Sequence, residues 1–331
     1  MKKEFIVYYD TGTSNSRIYL LDRNFQLKYT GKKNIGSKDC SISGSNLVLI
    51  QALKDLYDGM LTETGVREEQ IDSIYASGMA TSPYGIKEVP HHPLPVSAED
   101  LANSLYCFYE DRLLHKNIYL IRGLRTTGDE ISSVNNVRGE ETEIIGALDL
   151  LEKDFPNRKI ALVLPGSHTH TALIENNQVT DLLSTMTGEL FYAVKSSTIL
   201  SAVLNVETKD LDKRMVSLGV KNLHTYGFNR AIYICHGMRL FNKESPEGRK
   251  SYAEGVLNGG YSTALAHCCE QKWKGCETAV IVSNKYMYDL YSTILADNPY
   301  IKQTFWYPIT QEKNYTIMGL KKIISCIQKK G

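Results

Sequence analysis

One design occurs twice in this chain, and that repetition constrains the fold more than any other feature. Phe5-Ile-Val-Tyr-Tyr-Asp10-Thr-Gly12-Thr-Ser-Asn-Ser-Arg17-Ile-Tyr-Leu-Leu-Asp22 reads as an apolar strand, a turn of small hydroxyl residues with one glycine, and an immediate return strand. Ile160-Ala-Leu-Val-Leu-Pro165-Gly166-Ser167-His168-Thr-His170-Thr-Ala-Leu-Ile174 repeats the order. The turn glycines Gly12 and Gly166 lie 154 positions apart (166 minus 12), about one domain length. A chain of 331 residues exceeds what one core usually organises, so the pattern predicts two domains of similar design, 1–150 and 151–331. The boundary is expected near residues 150–157, where Lys153-Asp-Phe-Pro156-Asn-Arg breaks the pattern.

Between and after the hairpins, strand and helix signals alternate, which argues for α/β layers. Helical spacing runs through Ser45–Thr64 and closes at Gly65; Ile71–Ala76 and Ile118–Ile121 read as strands. The proline-rich Pro83–Pro95 stretch reads as a loop, and Ser97–Leu114 as partly helical. Helices are predicted over Glu140–Leu151, Gly188–Leu204, Tyr252–Cys269 and Ile317–Lys329, with a strand at Ala279–Ser283.

The net charge of +1 gives no reason to expect a nucleic-acid or membrane surface, so an anionic ligand must be recognised locally. MKKEFIVYYD is not a signal peptide, and no run of apolar residues is long enough to span a bilayer. A cytoplasmic location is expected. The seven cysteines form no C-x-x-C pair, which favours reduced thiols.

The first turn is chemically rich. Asp10 ends a strand and can hold Mg²⁺, which prefers hard oxygen ligands. Gly12 lets a phosphate approach the backbone. Thr13, Ser14 and Asn15 add donors, and Arg17 adds a planar fork suited to phosphate or carboxylate. Phosphoryl transfer needs mainly positioning and charge neutralisation, and these groups offer both. A bare Asp-x-Gly would equally fit a solvated hairpin turn; the whole run is far more specific. In the second turn, Gly166, Ser167 and His168 are candidates for the remaining phosphates, whereas His170 fits polar packing on the same strand face. Gly31-Lys-Lys-Asn-Ile-Gly36-Ser37-Lys38 resembles a phosphate-binding P-loop, but its lysine and serine stand in the wrong order, so it reads as a loop.

A second informative run is Val137-Arg138-Gly139-Glu140-Glu141-Thr142-Glu143-Ile-Ile-Gly146-Ala147. A kinase acting on a hydroxyl needs a carboxylate to accept its proton, and a helix start favours negative charge. Glu140 is the candidate base. Glu141 is a candidate for substrate hydroxyls or a metal-bound water, and Arg138 for a substrate carboxylate or the transferring phosphate. Taken alone, the run also fits a charge-capped helix with an Arg–Glu surface pair.

Asp10-x-Gly-Thr-Ser-Asn-x-Arg17, Arg138-Gly-Glu-Glu-Thr-x-x-x-Gly-Ala147, Pro165-Gly-Ser-His168 and Met186-Thr-Gly-Glu-Leu190 stand in this order. Together they resemble the 2-dehydro-3-deoxygalactonokinases, a family of actin-like sugar kinases. The likeness extends to Gly78-Met79, Gly123-Leu124 and Glu254-Gly-Val-Leu-x-Gly-Gly260, and so covers most of the chain. It implies two RNase H-like (actin-like) domains with an interdomain cleft, and ATP-dependent, Mg²⁺-assisted phosphorylation of 2-dehydro-3-deoxy-D-galactonate at its 6-hydroxyl. It carries the phosphate role onto Asp10, Gly12, Thr13, Arg17, Gly166, Ser167 and His168, and the catalytic carboxylate onto Glu140. It puts Gly188, Glu189, Gly255 and Gly259 on the nucleotide side, and the sugar acid near Gly78, Met79 and Ser82. The chain departs from the family where Asn284-Lys285-Tyr286 follows the 280–283 strand in place of a glycine, and Thr208–Arg230 matches poorly. An actin-like phosphatase or ATPase with water as acceptor, or an inactive sugar-acid sensor, would share the same turns. A homodimer, the commonest closed assembly, is compatible with the residues.

Overall fold

A computed structural model of the protein describes residues 3–310 and 313–328. The chain forms two compact units, Met1–Asp149 with Asn314–Gly331, and Leu150–Lys313.

The first unit is built on a six-stranded sheet. Its strands are β1 (Phe5–Thr11), β2 (Ser16–Asp22), β3 (Leu27–Lys33) and β4 (Ile71–Gly78), followed after a short strand β5 (His92–Pro93) by β6 (Tyr106–Glu110) and β7 (Lys116–Leu120). The spatial order is β3-β2-β1-β4-β7-β6. β1, β2 and β3 form an antiparallel meander, and β4 lies parallel to β1. Val7, Tyr8 and Tyr9 are buried on both faces of β1, as expected for an inner strand with parallel pairing. On one face Val7, Tyr9, Ile18 and Leu20 pack against Leu49, Leu53, Leu56 and Met60. Those last residues line the inner face of α2 (Leu47–Thr64), which follows α1 (Ser37–Ser43) and stops at Gly65 in the left-handed conformation. β5 joins β8 (Leu124–Arg125) and β9 (Asn136–Val137) in a small second sheet. α3 (Ala98–Asn103) starts at a Ser97–Asp100 capping box, and α4 (Glu140–Asp154) follows β9.

The second unit repeats the scheme with five strands: β10 (Ile160–Leu164), β11 (His168–Glu175), β12 (Gln178–Met186), β13 (Thr278–Ser283) and β14 (Gln303–Pro308), in the order β12-β11-β10-β13-β14. Both sheets therefore share the order third, second, first, fourth, last, with β6 as an added edge strand of the first, and the two hairpins lie at equivalent places. The helices are α5 (Gly188–Ser197), α6 (Ser201–Leu204), α7 (Lys213–Tyr226), α8 (Phe228–Leu240), α9 (Pro246–Gln271) and α10 (Lys285–Leu295). One core gathers Ile281, Leu265, Tyr261, Tyr291 and the fully buried Trp273; another joins α7, α8 and α9 through Met215, Cys235, Tyr252 and Val256.

Several expectations need correction. The final helix, α11 (Tyr315–Gln328), belongs to the first unit, so the C-terminal domain does not run from 151 to 331. Glycines explain this: a Cβ on Gly319 would run into the Thr142 carbonyl, and one on Gly146 into the Tyr315 carbonyl. α11 and α4 therefore cross with their backbones touching. The 31–38 stretch is not simply a loop, since it completes β3 and opens α1. The predicted 188–204 helix breaks into α5 and α6, and Ser97–Leu114 divides into α3 and β6. Lys329 lies outside the described residues. All seven cysteines are free thiols. Among the described residues, no helix is long and apolar enough to cross a membrane.

Candidate active site

The first turn is shaped by its own backbone and by the start of α1. Gly12 N–H donates to Asn15 O (2.7 Å), while the Ser37 and Lys38 amides donate to the carbonyls of Gly12 (3.3 Å) and Thr13 (3.0 Å). A trans peptide sends its N–H opposite to its C=O, so the Thr13 and Ser14 amides face away from α1. That is the arrangement an anion needs. Thr13 and Ser14 are exposed, and Asn15 is half-buried. Gly36 makes the close approach possible, because a Cβ there would strike the Thr13 and Gly12 carbonyls.

Asp10 and Arg17 face each other across the β1–β2 ladder and pair at 3.2 Å. Arg17 thus already has a carboxylate partner in this structure. Burial raises the Asp10 carboxyl above its ordinary value despite the pull of Arg17. Glu140 opens α4; burial, and then the charge of Asp10, push its carboxyl up to about 7. Glu143 is pushed to about 8 by burial, then by Glu140 and Asp10. The three acids share one electrostatic environment and titrate as a set. A group poised near neutrality suits general-base work.

Beneath them runs a buried polar network. Tyr8 Oη meets Ser77 Oγ (2.6 Å) and Thr142 Oγ1 (3.3 Å), Thr11 Oγ1 donates to Ser77 O (2.9 Å), and the Ala80 amide donates to Thr11 Oγ1. It ties β1, β4 and α4 together. Gly78 takes φ +72, and a Cβ there would strike the Thr11 carbonyl and come within 3.5 Å of Gly139 Cα. Only glycine fits this seam.

Other residues expected to meet substrate do different things. Glu141 has no exposed surface. Its Oε2 accepts from the Gly139 amide (2.5 Å), and its Oε1 has no partner. Burial pushes this carboxyl up to about 8. The Ser82 hydroxyl is buried and donates to Met79 O (2.8 Å) within its own turn, while Met79 keeps partial exposure. Arg138 Nη1 donates to Thr81 O (2.5 Å) and to Thr81 Oγ1, and its Nη2 donates to Val89 O (3.2 Å) and His91 Nδ1 (3.1 Å). That guanidinium is engaged with the protein rather than directed at a ligand.

In the second unit, the turn around Gly166 and Ser167 is backed by α5. Glu189 N–H donates to Ser167 O (2.7 Å), and a Cβ on Gly188 would run into the Gly166 carbonyl. His168 Nε2 pairs with Glu189 Oε2 at 3.0 Å, both side chains being largely exposed. His170 is buried, bonds Ser184 Oγ (2.9 Å), and is held neutral by burial and by His168. Gly255 and Gly259 face α7. A Cβ on Gly255 would strike Val216 O, and one on Gly259 would lie 3.0 Å from Leu223 Cδ2. They are the contact row where α9 crosses α7, and Gly219 serves the crossing from the other helix. The Asn284 that replaces a glycine is the N-cap of α10, its Oδ1 accepting from the Met287 amide.

The family description 2-keto-3-deoxy-galactonokinase matches residues 10–322, nearly the whole chain. The protein belongs to this family. Both turns, at Gly12 and Gly166, lie within the matched residues. The chain is 29% identical over 196 residues to the 2-dehydro-3-deoxygalactonokinase of Escherichia coli (strain K12), a match covering 59% of this chain and 62% of that protein. The alignment thus spans less than two thirds of the curated relative's length. A crystal structure from Sinorhizobium meliloti, provisionally assigned as a 2-dehydro-3-deoxygalactonokinase, superposes with a TM-score of 0.74 at 18% identity, covering 98% of both chains. Porphyromonas gingivalis acetate kinase superposes with a TM-score of 0.50 at 10% identity, covering 98% of this chain and 100% of that one. The fold is therefore that of the actin-like ATPases and sugar kinases.

Two residues beside the first turn carried no role in the sequence. Gly36 supports the first turn, and Glu143 shares the environment of Asp10 and Glu140. Glu143 had a visible signal, since residues three apart on a helix lie on one face.

Proposed function

We propose that the protein transfers the γ-phosphoryl group of ATP to a hydroxyl of a 2-keto-3-deoxy sugar acid, with 2-dehydro-3-deoxy-D-galactonate and its O6 as first choice. The observation that carries this reading is Glu140, a carboxyl raised to about 7 at the start of a helix, in the same field as Asp10 at the phosphate turn. Membership in the kinase family supports the same reaction. In the transfer, the acceptor hydroxyl gives its proton to the Glu140 carboxylate. Its oxygen forms a bond to the γ-phosphorus as the bond to the bridging oxygen breaks, and ADP leaves with that electron pair. The Thr13 and Ser14 amides stabilise the phosphate oxygens, and His168 and the turn at Gly166 are the phosphate candidates of the second unit.

Mg²⁺ suits the donor set. Among the described residues no three side chains form a ready metal cage, yet Mg²⁺ is usually held by one or two carboxylates with phosphate oxygens and waters. Asp10 is the residue that would hold it, and a cation there would relieve the mutual repulsion with Glu140 and Glu143. When bound, the ion supplies charge neutralisation to the phosphates.

An ADP-release assay with Mg-ATP tests this, comparing 2-dehydro-3-deoxy-D-galactonate, its gluconate epimer and no acceptor. Turnover that requires an acid is the expected result. ADP release without acceptor would replace the kinase with a hydrolase, and silence in all arms would overturn the reading.

A further inference from the structure

Arg138 stands two residues before Glu140, and its side chain leaves its own segment to hold another. Both terminal nitrogens are committed: Nη1 to the carbonyl and hydroxyl of Thr81, Nη2 to Val89 O and His91 Nδ1. These acceptors bracket the 79–91 loop, which carries Met79 and Ser82. The loop's own backbone bonds stay within its first eleven residues: Ser82 N–H to Met79 O (3.1 Å), Gly85 N–H to Ser82 O (2.9 Å), Ile86 and Lys87 N–H to Ala80 O (2.8 and 3.3 Å), and Val89 N–H to Thr81 O (3.0 Å). Because Arg138 can only donate, His91 Nδ1 must accept, and the ring proton sits on Nε2. That Nε2 is buried without a partner. The imidazole lies against Gly123, where a Cβ would come within 2.8 Å of His91 Cδ2. Burial, then the charges of Arg138 and Arg125, hold the ring neutral down to about pH 4.

The other side of Glu140 is fixed as well. Gly139, at φ +119, gives its amide to Glu141 Oε2, and its carbonyl accepts from Thr142 Oγ1 (3.2 Å). Thr142 Oγ1 in turn meets Tyr8 Oη. β9 ends at Val137, so the small β5–β8–β9 sheet delivers Arg138 into the loop.

We infer that Arg138 is a positioning residue: its guanidinium clamps the 79–91 loop to the start of α4, and so sets the distance between the base Glu140 and the loop that the family resemblance puts beside the acceptor. This rests on the kinase reading for its catalytic consequence, while the clamp itself can be tested without turnover. Arg has the planar fork this requires; a lysine ammonium cannot reach all four acceptors at once.

The test uses the full-length protein with Arg138→Lys, and with His91→Ala as a milder opening of the same clamp. Arg138→Lys is expected to lower kcat by about 10- to 100-fold, the usual cost of slight misplacement. Acceptor KM should rise and ATP KM stay unchanged, with His91→Ala following the same pattern more weakly. The loss should be equal for a carboxylate-bearing acceptor and for its uncharged analogue. Amide hydrogen exchange at Ile86 and Val89 should accelerate in both variants. A loss confined to the carboxylate-bearing acceptor would make Arg138 a direct substrate ligand and overturn the inference. Unchanged exchange at Ile86 and Val89 would overturn it too. A wild-type protein without turnover would count against the kinase reading alone, and the exchange measurement would still decide the clamp.

Discussion

The two hairpin turns sit at equivalent positions of two sheets that share a five-strand order, yet they are equipped differently. Both are buttressed in one manner. A glycine at the start of the following helix, Gly36 or Gly188, lies so close that a Cβ would meet the turn's carbonyls, and helix amides satisfy those carbonyls. Beside the first turn stand Asp10, Glu140 and Glu143, all held above their ordinary carboxylate range. Beside the second stands an exposed His168–Glu189 pair. The shared part is the backbone cradle; the cluster of raised acids stands beside the first turn alone. On the kinase reading proposed above, the duplicated scaffold keeps what binds phosphate and diversifies what does the reaction.

The shared cradle is the easiest part to break. Gly36→Ala and Gly188→Ala should each reduce kcat/KM by about 100-fold, because the new methyl displaces a turn proposed to hold phosphate. Gly36 has an extended backbone at φ −147, so its penalty is purely steric. Steady-state kinetics with varied ATP would check both, and a large loss from only one would show that the turns are not equivalent.

The acidic side is sharpened by Glu141. Its folded carboxyl is raised to about 8, so the native state holds this proton where the unfolded chain has released it. Stability should therefore fall as pH rises from the ordinary glutamate range through about 8. Glu141→Gln should flatten that decline, as read by urea denaturation across pH; an unchanged slope would mean that Glu141 is ionised in the folded protein.

The smallest effect belongs to the second turn. Glu189→Gln breaks an exposed pair and should change stability by less than about 0.5 kcal/mol. His168→Ala should raise ATP KM about threefold, roughly 0.6 kcal/mol.

The doubled hairpin was legible because strand alternation and turn chemistry are local signals, and so was the place of Glu140 at a helix start behind a glycine. What was not legible depended on partners distant in sequence. Gly36 works by leaving room for Thr13, and nothing near it says so. Gly255 and Gly259 carry the same glycine signal as a ligand-facing row, but their neighbour is α7, whose Gly219 completes a helix crossing. Arg138 stood out, yet half of its acceptors are backbone oxygens, which sequence does not display. α11 joins the first unit through Gly146 and Gly319, a pairing across more than half the chain.

The asymmetry between the turns is tested most directly by the pH dependence of sugar-acid phosphorylation in wild type and Glu140→Gln. Wild-type kcat/KM should rise through about pH 7, as Glu140 loses its proton, and the variant should be slower by about 10²- to 10⁴-fold. A variant within tenfold of wild type, still showing the same rise, would take the proton chemistry away from Glu140 and contradict the account.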